Sequence, residues 1–117
     1  MTLQLKQLTT TQIFEWATPR GVAWTCDLVL NDQEFIKVYN AGNGGATQFT
    51  PKTMTNKEWQ LIYERLENEA KELIGLKYEA LDTLICFSED NDNLTDPKLV
   101  ERTKQCLQAQ GLRKPIL

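Results

Sequence analysis

Val22-Ala23-Trp24-Thr25-Cys26-Asp27-Leu28-Val29-Leu30, Asn31-Asp32-Gln33, Glu34-Phe35-Ile36-Lys37-Val38-Tyr39-Asn40: two runs rich in β-branched and aromatic residues flank a polar triplet, the pattern of a β-hairpin. Loop length selects which residues face one another across the two strands. A two-residue loop of Asn31-Asp32 sets Cys26 opposite Lys37 and Asp27 opposite Ile36, mixing charged with apolar groups on both faces. A three-residue loop of Asn31 to Gln33 sets Leu28 opposite Ile36 and Cys26 opposite Val38, with Trp24 on the same face. The other face then pairs Asp27 with Lys37, Thr25 with Tyr39 and Val29 with Phe35. One cross-strand pair contributes only about 0.2–1 kcal/mol, so segregation of an apolar face decides and predicts the three-residue register. Against it stands Gln33, at a turn position that prefers glycine or asparagine.

Toward the amino terminus, Leu3 and Leu5 alternate with Gln4 and Lys6 and predict a strand, and Ile13, Phe14 and Trp16 predict a second before the turn Thr18-Pro19-Arg20-Gly21. Toward the carboxyl terminus the hairpin runs into Asn40-Ala41-Gly42-Asn43-Gly44-Gly45, then a short strand Ala46 to Thr50 ended by Pro51, which has no N–H for a ladder. Thr55-Asn56-Lys57-Glu58 is a capping box. Trp59, Ile62, Leu66, Ala70, Leu73 and Ile74 follow at helical spacing, and Gly75 stands just past their end. Residues 77–88 fit either a helix or a buried strand, with Glu79 and Asp82 near the start favouring helix. Ser88 to Asn93 is polar and loop-like. A last helix starts near Thr95-Asp96-Pro97, passes Leu99, Val100, Cys106 and Leu107, and stops at Gly111. The expected fold is α+β, one domain over residues 1–117. An antiparallel sheet of about four strands in residues 2–50 is packed on one face by two or three helices in residues 55–110, and 111–117 form a tail.

Composition narrows the function. The chain has 117 residues, 41% hydrophobic and 25% charged, as in soluble globular domains. It has no apolar run near the roughly 18 residues that cross a membrane. Its amino terminus does not read as a secretory signal. Cys26, Cys86 and Cys106 are odd in number and widely spaced, consistent with buried thiols in a reducing compartment. The expected location is the cytoplasm. With no histidine in the chain, imidazole-based nucleophile systems and imidazole zinc sites are excluded. Residues 56–96 hold four basic and eleven acidic groups, net −7, which disfavours nucleic acid and favours a protein partner with a basic surface.

Candidate sites follow from these patterns. The glycine run offers backbone amides to an anion, so Asn40, Gly42, Asn43, Gly44, Gly45 and Thr47 are candidates for a small anionic ligand such as a nucleotide. No helix follows the run, no Gly-Lys-Ser/Thr ends it, and a bulged turn between strands is the structural alternative. Among the glutamates at 58, 64, 67, 69 and 72, Glu64 and Glu67 are candidates for contacting a basic partner, and Trp16, in the weakest-patterned strand, is a candidate interface anchor. Asp90, Asp92, Asp96 and Glu101 resemble a calcium loop, but Leu94, Thr95 where glycine is needed, and Pro97 break the pattern, so no metal is assigned. No cofactor and no catalytic residue are indicated.

The order of Trp16-Ala17-Thr18-Pro19-Arg20-Gly21-Val22-Ala23-Trp24, a strand ending Val38-Tyr39-Asn40, the run Asn40-x-Gly42-x-Gly44-Gly45, an acidic helix and Glu79-Ala80-Leu81-Asp82-x-Leu84-Ile85 resembles a loose group of small uncharacterised phage and mobile-element proteins. Ala46-Thr47 departs from the polar or aromatic residue with which the group's next strand often opens. The resemblance implies an origin and no catalytic residues. The expected function is a small non-enzymatic binding protein, an accessory factor acting on a host protein. The alternative is a small-molecule binding protein using residues 40–47.

Overall fold

The computed structural model describes residues 3–31, 33–43, 45–89 and 91–109. Five strands, β1 (Leu8–Thr10), β2 (Phe14–Thr18), β3 (Gly21–Leu30), β4 (Gln33–Asn40) and β5 (Gln48–Pro51), precede three helices, α1 (Asn56–Ile74), α2 (Ala80–Cys86) and α3 (Pro97–Ala109). All strand pairings are antiparallel. β3 is central: β4 and then β5 lie on one side of it, while β1 and β2 share its other side end to end.

That shared edge is a strand with a break in it. Leu8 faces Leu30 and Thr10 faces Leu28, but Phe14 faces Thr25, so one extra residue enters between the two halves. Thr11 holds the junction: its N–H donates to the Asp27 carbonyl at 2.9 Å, and its Oγ1 accepts from the Asp27 amide at 2.8 Å. A side chain replaces a backbone acceptor where the ladder is interrupted.

The hairpin register is the one that segregates its faces, with Cys26 opposite Val38, Asp27 opposite Lys37 and Leu28 opposite Ile36. Beyond Leu28 the expectation changes, because a bulge sets Val29 opposite Glu34 and Leu30 opposite Gln33, leaving Phe35 as the extra residue. The bulge reconciles the two loop lengths. It keeps the segregated register, lets strand pairing continue to Gln33, and places Asn31 at φ 53, a conformation asparagine tolerates. It also lets the consecutive residues Phe35 and Ile36 both be buried.

The amino-terminal reading needs correction. Leu3 and Leu5 are buried, yet they lead into a 3-10 turn, Leu5–Gln7, and the first strand begins only at Leu8. The Gln7 side chain accepts from the Gln4 amide at 2.8 Å, and Glu69 of α1 accepts from the Leu5 amide at 3.2 Å. Alternating leucines are buried here against α1, and none of the described strands pairs with them.

One hydrophobic cluster joins sheet and helices. Trp24, Cys26, Leu28, Ile36 and Val38 contribute from the sheet, Trp59, Leu66, Ala70 and Ile74 from α1, Leu81, Leu84 and Ile85 from α2, and Leu99 from α3. Residues 80–86, within the ambiguous stretch, are helical. The Thr55 cap is as expected: its hydroxyl accepts from the Glu58 amide at 3.1 Å and Glu58 accepts in return from the Thr55 amide at 2.9 Å. Thr55→Ala is expected to cost about 1 kcal/mol of stability in urea unfolding, by removing one of these two bonds. Asp96 caps α3 through the Lys98 amide at 2.9 Å. The expected stop at Gly111 and the tail 111–117 lie outside the described residues.

Candidate functional site

The glycine run is a braced connection. Asn40 at the end of β4 uses its whole side chain, Oδ1 accepting from the Gly42 amide at 2.8 Å and Nδ2 donating to the Thr47 hydroxyl at 2.9 Å. Asn43 Oδ1 accepts from the Gly45 amide at 3.0 Å. Gly42, at φ +74, lies against the backbone where β3 begins, and a Cβ there would come within 2.6 Å of the Val22 carbonyl carbon. Gly44 lies outside the described residues. Of the anion-site candidates, Asn40, Gly42, Asn43, Gly45 and Thr47 are thus joined by bonds among themselves. The Gly42 and Gly45 amides already have acceptors.

A cleft of about 480 Å³ opens where this connection enters β5, lined by Thr47, Phe49, Asn56, Trp59, Gln60 and Tyr63. Phe49, Trp59 and Tyr63 pack with their rings tilted 37° to 60° to one another and ring centroids 5.3 to 5.9 Å apart. The charges around Tyr63 are negative. Burial, with Glu67, Asp82 and Glu79 nearby, pushes its hydroxyl up to about 12. Burial likewise raises the Asp82 carboxyl, against the pull of the Thr47 hydroxyl, with Glu79 and Glu67 adding to the rise. Such a field repels an anion.

The acidic helix divides between internal and external duties. Glu67, expected to face outward, is turned inward and only 8% exposed. Its two oxygens accept from the Ala80 amide at 2.9 Å and the Leu81 amide at 2.8 Å, closing the amino end of α2. That end needs an outside acceptor because Glu79, at its cap position, has φ 53 and makes no side-chain cap. Glu69 holds Leu5 and Glu58 holds Thr55, whereas Glu64 and Glu72 stay exposed. Glu67 is therefore a structural group, and of the two candidate glutamates only Glu64 faces outward. The missed signal is spacing: Glu67 falls four residues after Tyr63 and three before Ala70, on the buried arc.

Trp16 belongs to the opposite side of the molecule. It faces Ala23 across β2 and β3, on the sheet face away from the helices, and stacks on Tyr39 at 6.3 Å between centroids and 26° between planes. Ala23 beneath is buried, and Phe14, two residues along the same face, is 58% exposed against 44% for Trp16. Three aromatic side chains therefore share a sheet face that, among the described residues, no helix covers. Sequence reasoning singled out Trp16; Phe14 and Tyr39 join it through strand register. Trp16 and Glu64 do not converge on one site.

Of the three cysteines expected to be buried, only Cys26 is: Cys86, at the end of α2, is exposed and Cys106 is half-buried. Burial, reinforced by Asp27 and Cys86, pushes the Cys26 thiol up to about 12, and the Cys86 thiol is raised by partial desolvation, with Asp82 and Glu15 adding to the effect, so neither is an activated nucleophile. Among the described residues no cluster of three or more His, Cys, Asp or Glu has metal-site geometry, and no helix is long and apolar enough to cross a membrane. Compared with protein families, curated proteins and solved structures, the chain matches none.

Proposed function

We propose that this is a small non-enzymatic binding protein whose partner, a protein with a basic surface, docks on the uncovered sheet face around Trp16. The observation that carries the reading is the Trp16–Tyr39 stack with Phe14 beside it, since large aromatics left in water on a sheet face are the anchors of protein interfaces. The net charge of −3 favours approach of a basic partner. The free cysteines are in keeping with action in a reducing cytoplasm. The likeness of the Asn40 to Gly45 turn to that of phage and mobile-element proteins supports the role of an accessory factor acting on a host protein.

Capture from a bacterial lysate, compared between the wild-type chain and Trp16→Ser, tests this. A basic protein held by the wild type, weakened by salt and lost in the variant is expected. Replacing an aromatic anchor costs about 2 kcal/mol or more of binding, more than tenfold in Kd. Glu64→Lys, on the other side, is expected to slow association while leaving dissociation nearly unchanged. Equal capture by the wild type and Trp16→Ser overturns the reading.

A further inference from the structure

Resting on that binding reading, we propose that β2 accepts an extended partner segment as an added strand, and that the segment alternates basic with apolar residues.

A strand edge carries unpaired N–H and C=O groups and is a template for another chain unless something covers or blunts it. β1 is covered: Thr10 donates to the Asp92 carbonyl at 3.0 Å and accepts from the Asn91 amide at 2.8 Å, and Leu8 accepts from the Leu94 amide at 3.1 Å. β5 has only four residues and ends in Pro51, beside which Lys52 bridges Glu34 and Asp27. β2 has neither protection. It pairs with β3 alone among the described strands, and Phe14-Glu15-Trp16-Ala17-Thr18 contains no proline or lysine.

Side-chain alternation then defines the occupant. Phe14 and Trp16 point to the open face, so an added strand meets apolar surface there. Glu15 faces Trp24, on the helix side, and among the described residues it makes no salt bridge. Glu15 thus puts a negative charge on the helix side of this edge. Basic residues at alternate positions complement it. A second copy of β2 fits less well, because antiparallel pairing about Trp16 makes the two Glu15 carboxylates diagonal neighbours.

A short peptide alternating lysine with valine is the probe, with amide shifts and hydrogen exchange of the intact protein as readout. The expected result is protection confined to Phe14–Thr18. Affinity is expected to fall about fivefold or more in Glu15→Lys and at least about tenfold when the lysines of the peptide become glutamates. Binding is abolished when alternate peptide nitrogens on the pairing edge are methylated, since strand addition depends on main-chain hydrogen bonds. Equal binding by the methylated peptide, or protection elsewhere, overturns the proposal. So does β2 protection that rises with protein concentration without peptide, which assigns the edge to a second copy. If Trp16→Ser loses the captured protein while the peptide leaves β2 unprotected, strand addition fails and the broader reading survives.

Discussion

Gly42→Ala is expected to destabilise the protein by at least about 2 kcal/mol more than Gly75→Ala, although both glycines have nearly the same left-handed backbone, φ +74 and φ +75. The shared part of the cost is conformational, about 1 kcal/mol for placing an L side chain in that region. What differs is the surroundings. A methyl at Gly42 meets the Val22 carbonyl and the Ala23 nitrogen at 2.6 to 2.7 Å, all backbone, while a methyl at Gly75 meets nothing within 4 Å. Relief requires the start of β3 to move, and that strand pairs with both β2 and β4. Urea unfolding of the two variants measures the difference directly. Equal losses show that the connection after β4 yields, and that the close approach of Gly42 to β3 contributes little.

Removing the Glu67 carboxylate, as in Glu67→Ala, is expected to cost about 2–4 kcal/mol, because two amides at the amino end of α2 lose their acceptor away from water. Substitution at Glu64, on the solvated side of the same helix, is expected to stay within about 0.5 kcal/mol. α2 has seven residues, too few to persist without tertiary support. Hydrogen exchange should therefore show early loss of protection for residues 80–86 in Glu67→Ala while α1 stays protected. A stability loss spread evenly over all the helices, with no local opening, overturns the capping role.

These contrasts also show what the sequence could carry. The hairpin register was legible because Trp24, Cys26 and Leu28 alternate with polar residues, so one slip would have put charge into the core. The bulge at Phe35 was not, because its support comes from outside the hairpin: Lys52 donates its amide to the Phe35 carbonyl at 3.0 Å. The capping box at Thr55 is a local bond and reads directly. Glu67 escaped because a carboxylate in a charged helix is usually solvated, so its place on the buried arc was outweighed, and its partners there, the amides of Ala80 and Leu81, are distant in sequence. Leu3 and Leu5 misled for the same reason, since alternation reports burial without naming the element that does the burying. At the candidate site, Trp16 stood out as an aromatic in a weakly patterned strand. Its stacking on Tyr39 needed the order in which β2, β3 and β4 lie side by side.

The cover over β1 has a consequence for how the chain assembles. Residues 91, 92 and 94 reach back across more than eighty positions to bond Leu8 and Thr10, so this seam closes only after residue 94 has left the ribosome. The meander from β2 to β5 has its strands close in sequence and forms from contacts of low closure entropy. The edge of β1 must wait. Until the stretch before α3 is made, Leu8 and Thr10 lack their outer partners, and that stretch acts as the latch that closes this edge.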